Sequence, residues 1–361
     1  MPPVPRFPTC ARGAFLLIFL LLSTACATRI AATPGTMPPR FELPRLKDEA
    51  FAVAFDPSGE HLYTGHRSGR ICEWDLETRK LSRDFLGHKD NIQRLAVTPD
   101  GRALLSAAGA WSISPAEPSF VLWAIDTGGE LAHHSVTLAE FAALALSPDG
   151  QYVAVAERAD PPNHEYNAVL IIREFRTWKT IQSLPLMFYA DDVLFWTDHL
   201  APGRQVACTR RVSLAVDGQP VVRSANDLIA ISPDGRHIWS DERPVYDPIL
   251  AMAEILHPIR GPRLIEHQRG QPPRRWALDR PYGDLGQFRH LVPLSDNRRL
   301  ILALECDIYL IDTITKQDRR LHEGNVSTHA IALSPDGRRA AACGVWGVAV
   351  WDVPSSEPLP K

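Results

Sequence analysis

Short apolar runs recur along this chain, each followed by the same polar turn and then by a second apolar run. The phrase reads FAVAFDPSG from Phe51, LAVTPDG from Leu95, LALSPDG from Leu144, IAISPDG from Ile229 and IALSPDG from Ile331. A weaker copy is LVPLSDN from Leu291, and a degenerate one lies in DDVLFWTDHLAPG from Asp191. Turn chemistry accounts for the phrase. Ser or Thr opens the turn, proline presets φ at the second position, Asp tolerates the third, and Gly accepts the positive φ that follows. Each turn therefore joins two antiparallel strands. A third strand follows in most repeats and ends near a tryptophan and an acid, as in RICEWD (70–75), VLWAID (121–126) and VAVWD (348–352). A polar turn and a fourth strand come next, clearest in LETRKLSRDFLGHKD (76–90), where Gly87-His88 closes the strand.

Repeat starts fall near Phe51, Ile92, Phe141, Asp191, Leu228, Phe288 and His329. Their mean spacing of about 46 residues is close to the repeat length of WD propellers. Trp-Asp endings, the Gly-His pair and the Pro-Asp-Gly turn at this period resemble the WD-repeat family of β-propellers. The resemblance covers Phe41 to about Pro358. It departs from the family pattern in repeats four and five, which lack Trp-Asp, and in repeat two, where Ala124 stands for the Asp. It implies an all-β fold, a seven-bladed β-propeller of four-stranded antiparallel blades. Stacked blades bury both faces of each sheet, which explains why FAVAF and AVLIIREF show no clean polar alternation. The last repeat supplies only three good strands. The segment FELPRLKDEA (41–50) reads as the missing fourth, so the N-terminal strand is expected to close the ring in the last blade and remove an open edge.

The start of the chain has a different pattern. Arg6 and Arg12 precede an apolar run from Ala14 to Leu22, then small residues Ser23, Thr24 and Ala25, then Cys26. A positive start, a short apolar core and small residues before a cut describe a secretory signal peptide. Leu22 to Cys26 resembles the lipobox of bacterial lipoproteins, with Ser23 where leucine is usual. That resemblance implies a signal peptide at 1–25, a lipid on Cys26, a flexible tether at 26–39 and a propeller at 40–358. The expected location is the bacterial cell envelope, at the periplasmic face or outer membrane. Plain secretion with a cut near Cys26 and an uncleaved anchor are the competing readings. The apolar run is short of the roughly 20 residues a membrane span needs.

Composition narrows the function classes. An apolar fraction of 45% suits a packed globule. The formal charge of -3 becomes -5 once Arg6 and Arg12 are removed, which leaves no basic excess for phosphates and argues against nucleic acid. Cys10 and Cys26 belong to the leader. Cys72, Cys208, Cys306 and Cys343 each sit in or beside an apolar run without CxxC spacing and read as buried thiols. No P-loop, nucleophile elbow, HExxH or zinc spacing is present, so no catalytic residue, metal or cofactor is assigned. His133-His134 is the one histidine pair, a metal candidate set against a solvated rim. Asn325-Val-Ser matches a glycosylation pattern that carries no weight in a bacterial chain.

Two candidate sites remain. Glu49, Asp90, Glu140, Asp191 and Asp227 precede the first strands and in a propeller converge near one mouth of the channel, where they suit a cation or a basic group. Local hydrogen bonding after the Gly-His turn is the competing reading. Long connections supply the second site: 109–119 and 158–167 between second and third strands, and 268–287 between repeats five and six. They carry Trp111, His164, Tyr166, Arg274, Arg275, Trp276 and Tyr282, residue types that protein-binding surfaces favour. Rings tucked onto the blades are the alternative. The WD-repeat resemblance implies a non-catalytic scaffold, a monomeric propeller with a protein partner, touching the membrane only through its lipid. The alternative is a propeller enzyme, lactonase-like or a quinone-dependent dehydrogenase, with acids at the channel mouth. A purely structural envelope component is a third.

Overall fold

A computed structural model of the chain describes residues 36–109, 120–135, 141–158, 168–186, 193–198, 204–209, 213–215, 227–231, 237–241, 263–268, 274–277, 290–303, 306–315, 317–323 and 327–354. All regular structure among them is β-strand. The strands form six four-stranded sheets and one three-stranded sheet, every pairing antiparallel. In chain order the sheets span 50–85, 92–134, 141–186, 193–215, 227–277, 290–322 and 328–352. Their first strands begin at Ala50, Ile92, Phe141, Val193, Asp227, His290 and Thr328, each within two residues of a start read from the repeats.

The recurring turn forms as its chemistry dictates. In the second sheet Thr98 Oγ1 donates to Asp100 Oδ1 at 2.6 Å and accepts from the Ala103 N–H at 2.9 Å. Ser147 does the same with Asp149 and Tyr152, and Ser334 with Asp336 and Arg339. Gly101, Gly150 and Gly337 take φ of 69°, 68° and 69°, a conformation open mainly to glycine. In the weak copy Asn297 fills that place at φ 53°, as the most tolerant non-glycine residue. The first sheet has Asp56 where the second, third and seventh have Thr98, Ser147 and Ser334, and its Oδ1 accepts the His61 N–H at 2.9 Å.

A second repeated feature is a bulge near the start of the first strand, between Ala50 and Ala52, Ile92 and Arg94, Phe141 and Ala143, Leu228 and Ala230, and Thr328 and Ala330. Bulges add twist and bend a strand. Here they recur at one end of the same strand in five sheets.

Neighbouring sheets pack face to face. Tyr63, Ile71 and Phe85 of the first sheet meet Leu104, Val121 and Trp123 of the second. Leu105 and Phe120 of the second meet Val153 and Val155 of the third. Similar clusters join the fifth sheet to the sixth, the sixth to the seventh, and the seventh to the first. Second strands are therefore buried along their whole length, as in Ala103–Ala108 and Arg299–Ala303. The fourth strands Lys80–Phe85 and Glu130–His134 are largely exposed, while Asp318–His322 is half-buried.

The N-terminal segment joins the seventh sheet. Phe41–Glu42 pairs with Val350 and Ala349, and the Leu43 N–H donates to the Val348 carbonyl at 3.0 Å. Phe41 and Leu43 are buried against Cys343, Val348 and Val350. The Arg40 guanidinium binds both oxygens of Asp352 at 2.8 and 3.1 Å. Upstream, the Met37 N–H reaches the Arg320 carbonyl of the sixth sheet at 2.8 Å.

Candidate protein-binding face

Tryptophans of the third strands anchor polar links inside the sheets. In the first sheet Trp74 Nε1–H donates to Thr64 Oγ1 at 2.9 Å, and that oxygen lies 2.8 Å from His66 Nε2. His66 Nδ1 faces the Asp48 carbonyl at 3.1 Å and can only donate there. In its neutral form His66 therefore accepts at Nε2 from the threonine hydroxyl. Burial holds its pKa below the ordinary imidazole value. The second sheet repeats the link with a histidine from the preceding connection: Trp123 Nε1 and His88 Nε2 lie 2.9 and 2.7 Å from Ser106 Oγ. Ser106 donates onward to the Val121 carbonyl.

The third and seventh sheets are among those that depart from this arrangement. In the third, Arg173 and Glu157 stand at the repeat positions of Trp74 and His66 and form an ion pair at 3.4 Å. Burial pushes the Glu157 carboxyl up, against the pull of Arg173. In the seventh, His322 sits edge-on to Trp351 at 6.5 Å and 69°, much as His88 sits to Trp123 at 6.2 Å and 63°. Ala342 replaces the hydroxyl residue there, and neither His322 Nε2 nor Trp351 Nε1 has a protein partner. These links missed notice in the sequence. The signal was a Ser or Thr in the second strand, two residues beyond the one paired with the tryptophan, plus a histidine near either end.

Antiparallel connectivity sends the second-to-third turns and the fourth-to-first connections to the same end of the sheets. Contacts between these segments make this end continuous across the seventh, first and second sheets. Arg45, in the connection entering the first sheet, donates to the Val345 carbonyl in a turn of the seventh at 3.0 Å. The Arg67 N–H donates to the Glu49 carbonyl at 2.9 Å, and the Ser68 N–H to Asp48 Oδ1 at 3.2 Å. Gly69, at φ 87°, lies so close to the His88 carbonyl that a Cβ would sit 2.4 Å from the oxygen. Leu86 and Val345 stand out of this surface, 73% and 45% exposed.

Of the candidate acids, Glu49 accepts from His329 Nε2 at 2.8 Å and lies 3.8 Å from Arg67. His329 stacks on Phe51 at 4.3 Å, and its carbonyl is 2.6 Å from His290 Nε2. Asp90 Oδ1 accepts the Asn91 N–H at 2.7 Å, while its Oδ2 is buried without a partner. In repeat register Asp90 matches Asp48, and Glu49 matches Asn91, so these two acids do not occupy equivalent places. Asp227 opens a strand and pairs in register with Asp241. Glu140 and Asp191 lie outside the described residues, as do Cys26, Trp111, His164, Tyr166 and Tyr282.

Arg274, Arg275 and Trp276 require a correction. They form the strand Arg274–Ala277, the fourth of its sheet, with Trp276 opposite Leu264, and do not belong to a loop. Pairing with Arg263–Gln268 satisfies their backbone, which the polar composition of the stretch concealed. His133 is bound to Glu130 at 2.5 Å, and His134 stacks on Trp178 at 4.4 Å. Among the described residues no three His, Cys, Asp or Glu side chains gather as a metal set, and no helix is long and apolar enough to cross a membrane. Cys72 and Cys343 are buried thiols, Cys72 pushed up to about 12 by burial. Cys306 is half-buried.

Residues 47–75 match the family described as WD domain, G-beta repeat. Curated relatives carry the same likeness. Protein groucho of Drosophila melanogaster is 27% identical over 119 residues, 31% of this chain and 15% of that one. Set1 complex component swd1 of Schizosaccharomyces pombe is 29% identical over 111 residues, 31% of this chain and 26% of that one. WD repeat-containing protein 36 of Homo sapiens is 51% identical over 43 residues, 12% of this chain and 5% of that one. The matched stretches thus span about a quarter or less of these relatives' length. Among solved structures, Kuenenia stuttgartiensis Hydrazine Synthase aligns with a TM-score of 0.60 at 14% identity, covering 90% of this chain and 99% of that one. At that identity the likeness concerns fold alone. A WD40 repeat is present, and the chain has WD-repeat relatives.

Proposed function

We propose that this chain is a non-catalytic, protein-binding scaffold: a seven-bladed propeller whose two chain ends share the last blade, held at a bacterial cell envelope by a lipid on Cys26. The WD40 match and the sheet order support the propeller. The leader pattern supports the lipid. The binding role rests on one observation, the continuous surface across the seventh, first and second sheets that exposes Leu86 and Val345, with Arg45 at the Val345 carbonyl. Exposed apolar side chains rimmed by polar ones mark interaction sites more often than isolated ones do. The strands Ala103–Ala108 and Tyr152–Arg158 end at this same end of their sheets; Trp111, His164 and Tyr166 follow them in sequence and lie outside the described residues. A macromolecular partner, with no nucleic acid, fits the absence of a basic excess in the composition.

Affinity capture from crosslinked envelopes tests the role. Leu86→Asp with Val345→Asp is expected to weaken capture of the partner at least about tenfold, or roughly 1.4 kcal/mol. Ile314→Asp, in an exposed turn at the other end of the sheets, is expected to leave capture unchanged. Equal loss from both variants, or no loss from the first, rejects this face as the docking site.

A further inference from the structure

Resting on that reading of the face, we propose that it receives an acidic segment of the partner bearing apolar side chains. The ridge runs through 43–49, 67–70, 86–91 and 345–346. Within it Arg45, Lys47 and Arg67 are exposed, Arg67 lying 3.8 Å from the half-buried Glu49, and the exposed Asp84 beside the ridge is held by Arg70. Its three acids are turned inward to the protein's own groups. Asp48 accepts from the Ser68 N–H and hydroxyl, Glu49 from His329, and Asp90 from the Asn91 N–H. The cations therefore define the field that an approaching chain meets, while Leu86 and Val345 supply apolar contact.

The other end of the same three sheets lacks this asymmetry. Exposed Glu60, Glu77, Asp100, Asp126 and Asp336 alternate there with Arg79, Arg102 and Arg338. The whole chain is net negative, at -3, so a one-signed cationic ridge is a local departure from the overall charge. Complementary potential steers encounter and suppresses wrong partners, and its effect falls with salt. Contact between Arg45 and the Val345 carbonyl fixes one cation beside one apolar group, the juxtaposition that an acidic-apolar sequence matches.

The test measures anisotropy of fluorescein-labelled peptides against the detergent-solubilised full chain at low and high salt. Three probes are used: alternating Glu-Leu, Gln-Leu and Lys-Leu peptides of equal length. Glu-Leu is expected to bind at least tenfold tighter than Lys-Leu at low salt. Lys47→Gln with Arg67→Gln is expected to erase most of that preference without changing the melting temperature. Gln-Leu binding as tightly as Glu-Leu overturns the charge inference while leaving the docking face standing. No peptide binding by a chain that still captures its partner through Leu86 and Val345 overturns the segment as occupant. A parallel arm uses phosphatidylglycerol and phosphatidylcholine vesicles. Binding to phosphatidylglycerol that the same two substitutions abolish, without peptide preference, makes the occupant a lipid surface and overturns the proposal.

Discussion

Ala342 marks the place where a residue-scale rule is broken. Thr64 and Ser106 each place an oxygen between a third-strand indole N–H and a histidine, and Ala342 places a methyl there. Trp351 and His322 keep the geometry of the intact pair but leave their nitrogens unpaired in a buried setting, a state that costs about 1–3 kcal/mol per group. Ala342→Ser restores the oxygen at the price of one small added atom. The expected outcome is a gain of about 1 kcal/mol in urea unfolding, with His322 and Trp351 both required for it.

Two of these histidines also set a pH response. Burial lowers the pKa of His66 and of His322, so between that lowered value and the unfolded value of about 6.5 the unfolded chain binds more protons. Stability is then full above about pH 6.5 and declines as pH falls below it. Asp312 behaves differently. Burial alone raises its carboxyl, but hydrogen bonds from Arg298 and from the Thr315 and Ile314 N–H groups hold it at about 2. Its contribution is present above its unfolded value of 3.8 and lost only as pH falls toward 2. Urea midpoints are therefore expected to decline between pH 6.5 and 5, a slope that His322→Phe reduces. A flat profile across that window contradicts the neutral, buried assignment.

At the scale of elements, the turn chemistry was the most legible part of the fold. Ser-Pro-Asp-Gly sets out a hairpin through local bonds within five residues, and even the departures were local: Asn297 for Gly and Asp56 for Ser. Long-range partners were not legible. His88 was visible as part of a Gly-His turn, yet its hydroxyl partner lies 18 residues away in another strand. Glu49 read as a free acid because His329, which holds it, is 280 residues distant. Arg274–Ala277 looked like loop because its polar sequence carries no apolar run, while its strand forms by backbone pairing with Arg263–Gln268. Its regularity comes from the edge it extends.

For the whole molecule, the proposed face depends on how the chain ends meet. Arg45 and Lys47 lie in the segment between Phe41–Glu42, which pairs with the seventh sheet, and the first strand of the first sheet. Two further contacts secure that pairing. The WD-type acid Asp352 is bound by Arg40, and Arg79 of the first sheet lies over the Phe41 ring at 4.8 Å. Phe41 and Leu43 are almost fully buried. Burial of two such side chains stabilises by about 4 kcal/mol, before counting the edge left open on Gly347–Asp352.

Equilibrium urea unfolding of a chain beginning at Lys47, compared with the parent, is the most direct measurement of closure by the N-terminal strand. Closure predicts a loss of several kcal/mol, recovered in part when a peptide spanning 36–46 is added back, since that segment carries every contact described above. An unchanged midpoint in the truncated chain contradicts the account, because the seventh sheet would then be complete without Phe41 and the binding face would owe nothing to the meeting of the ends.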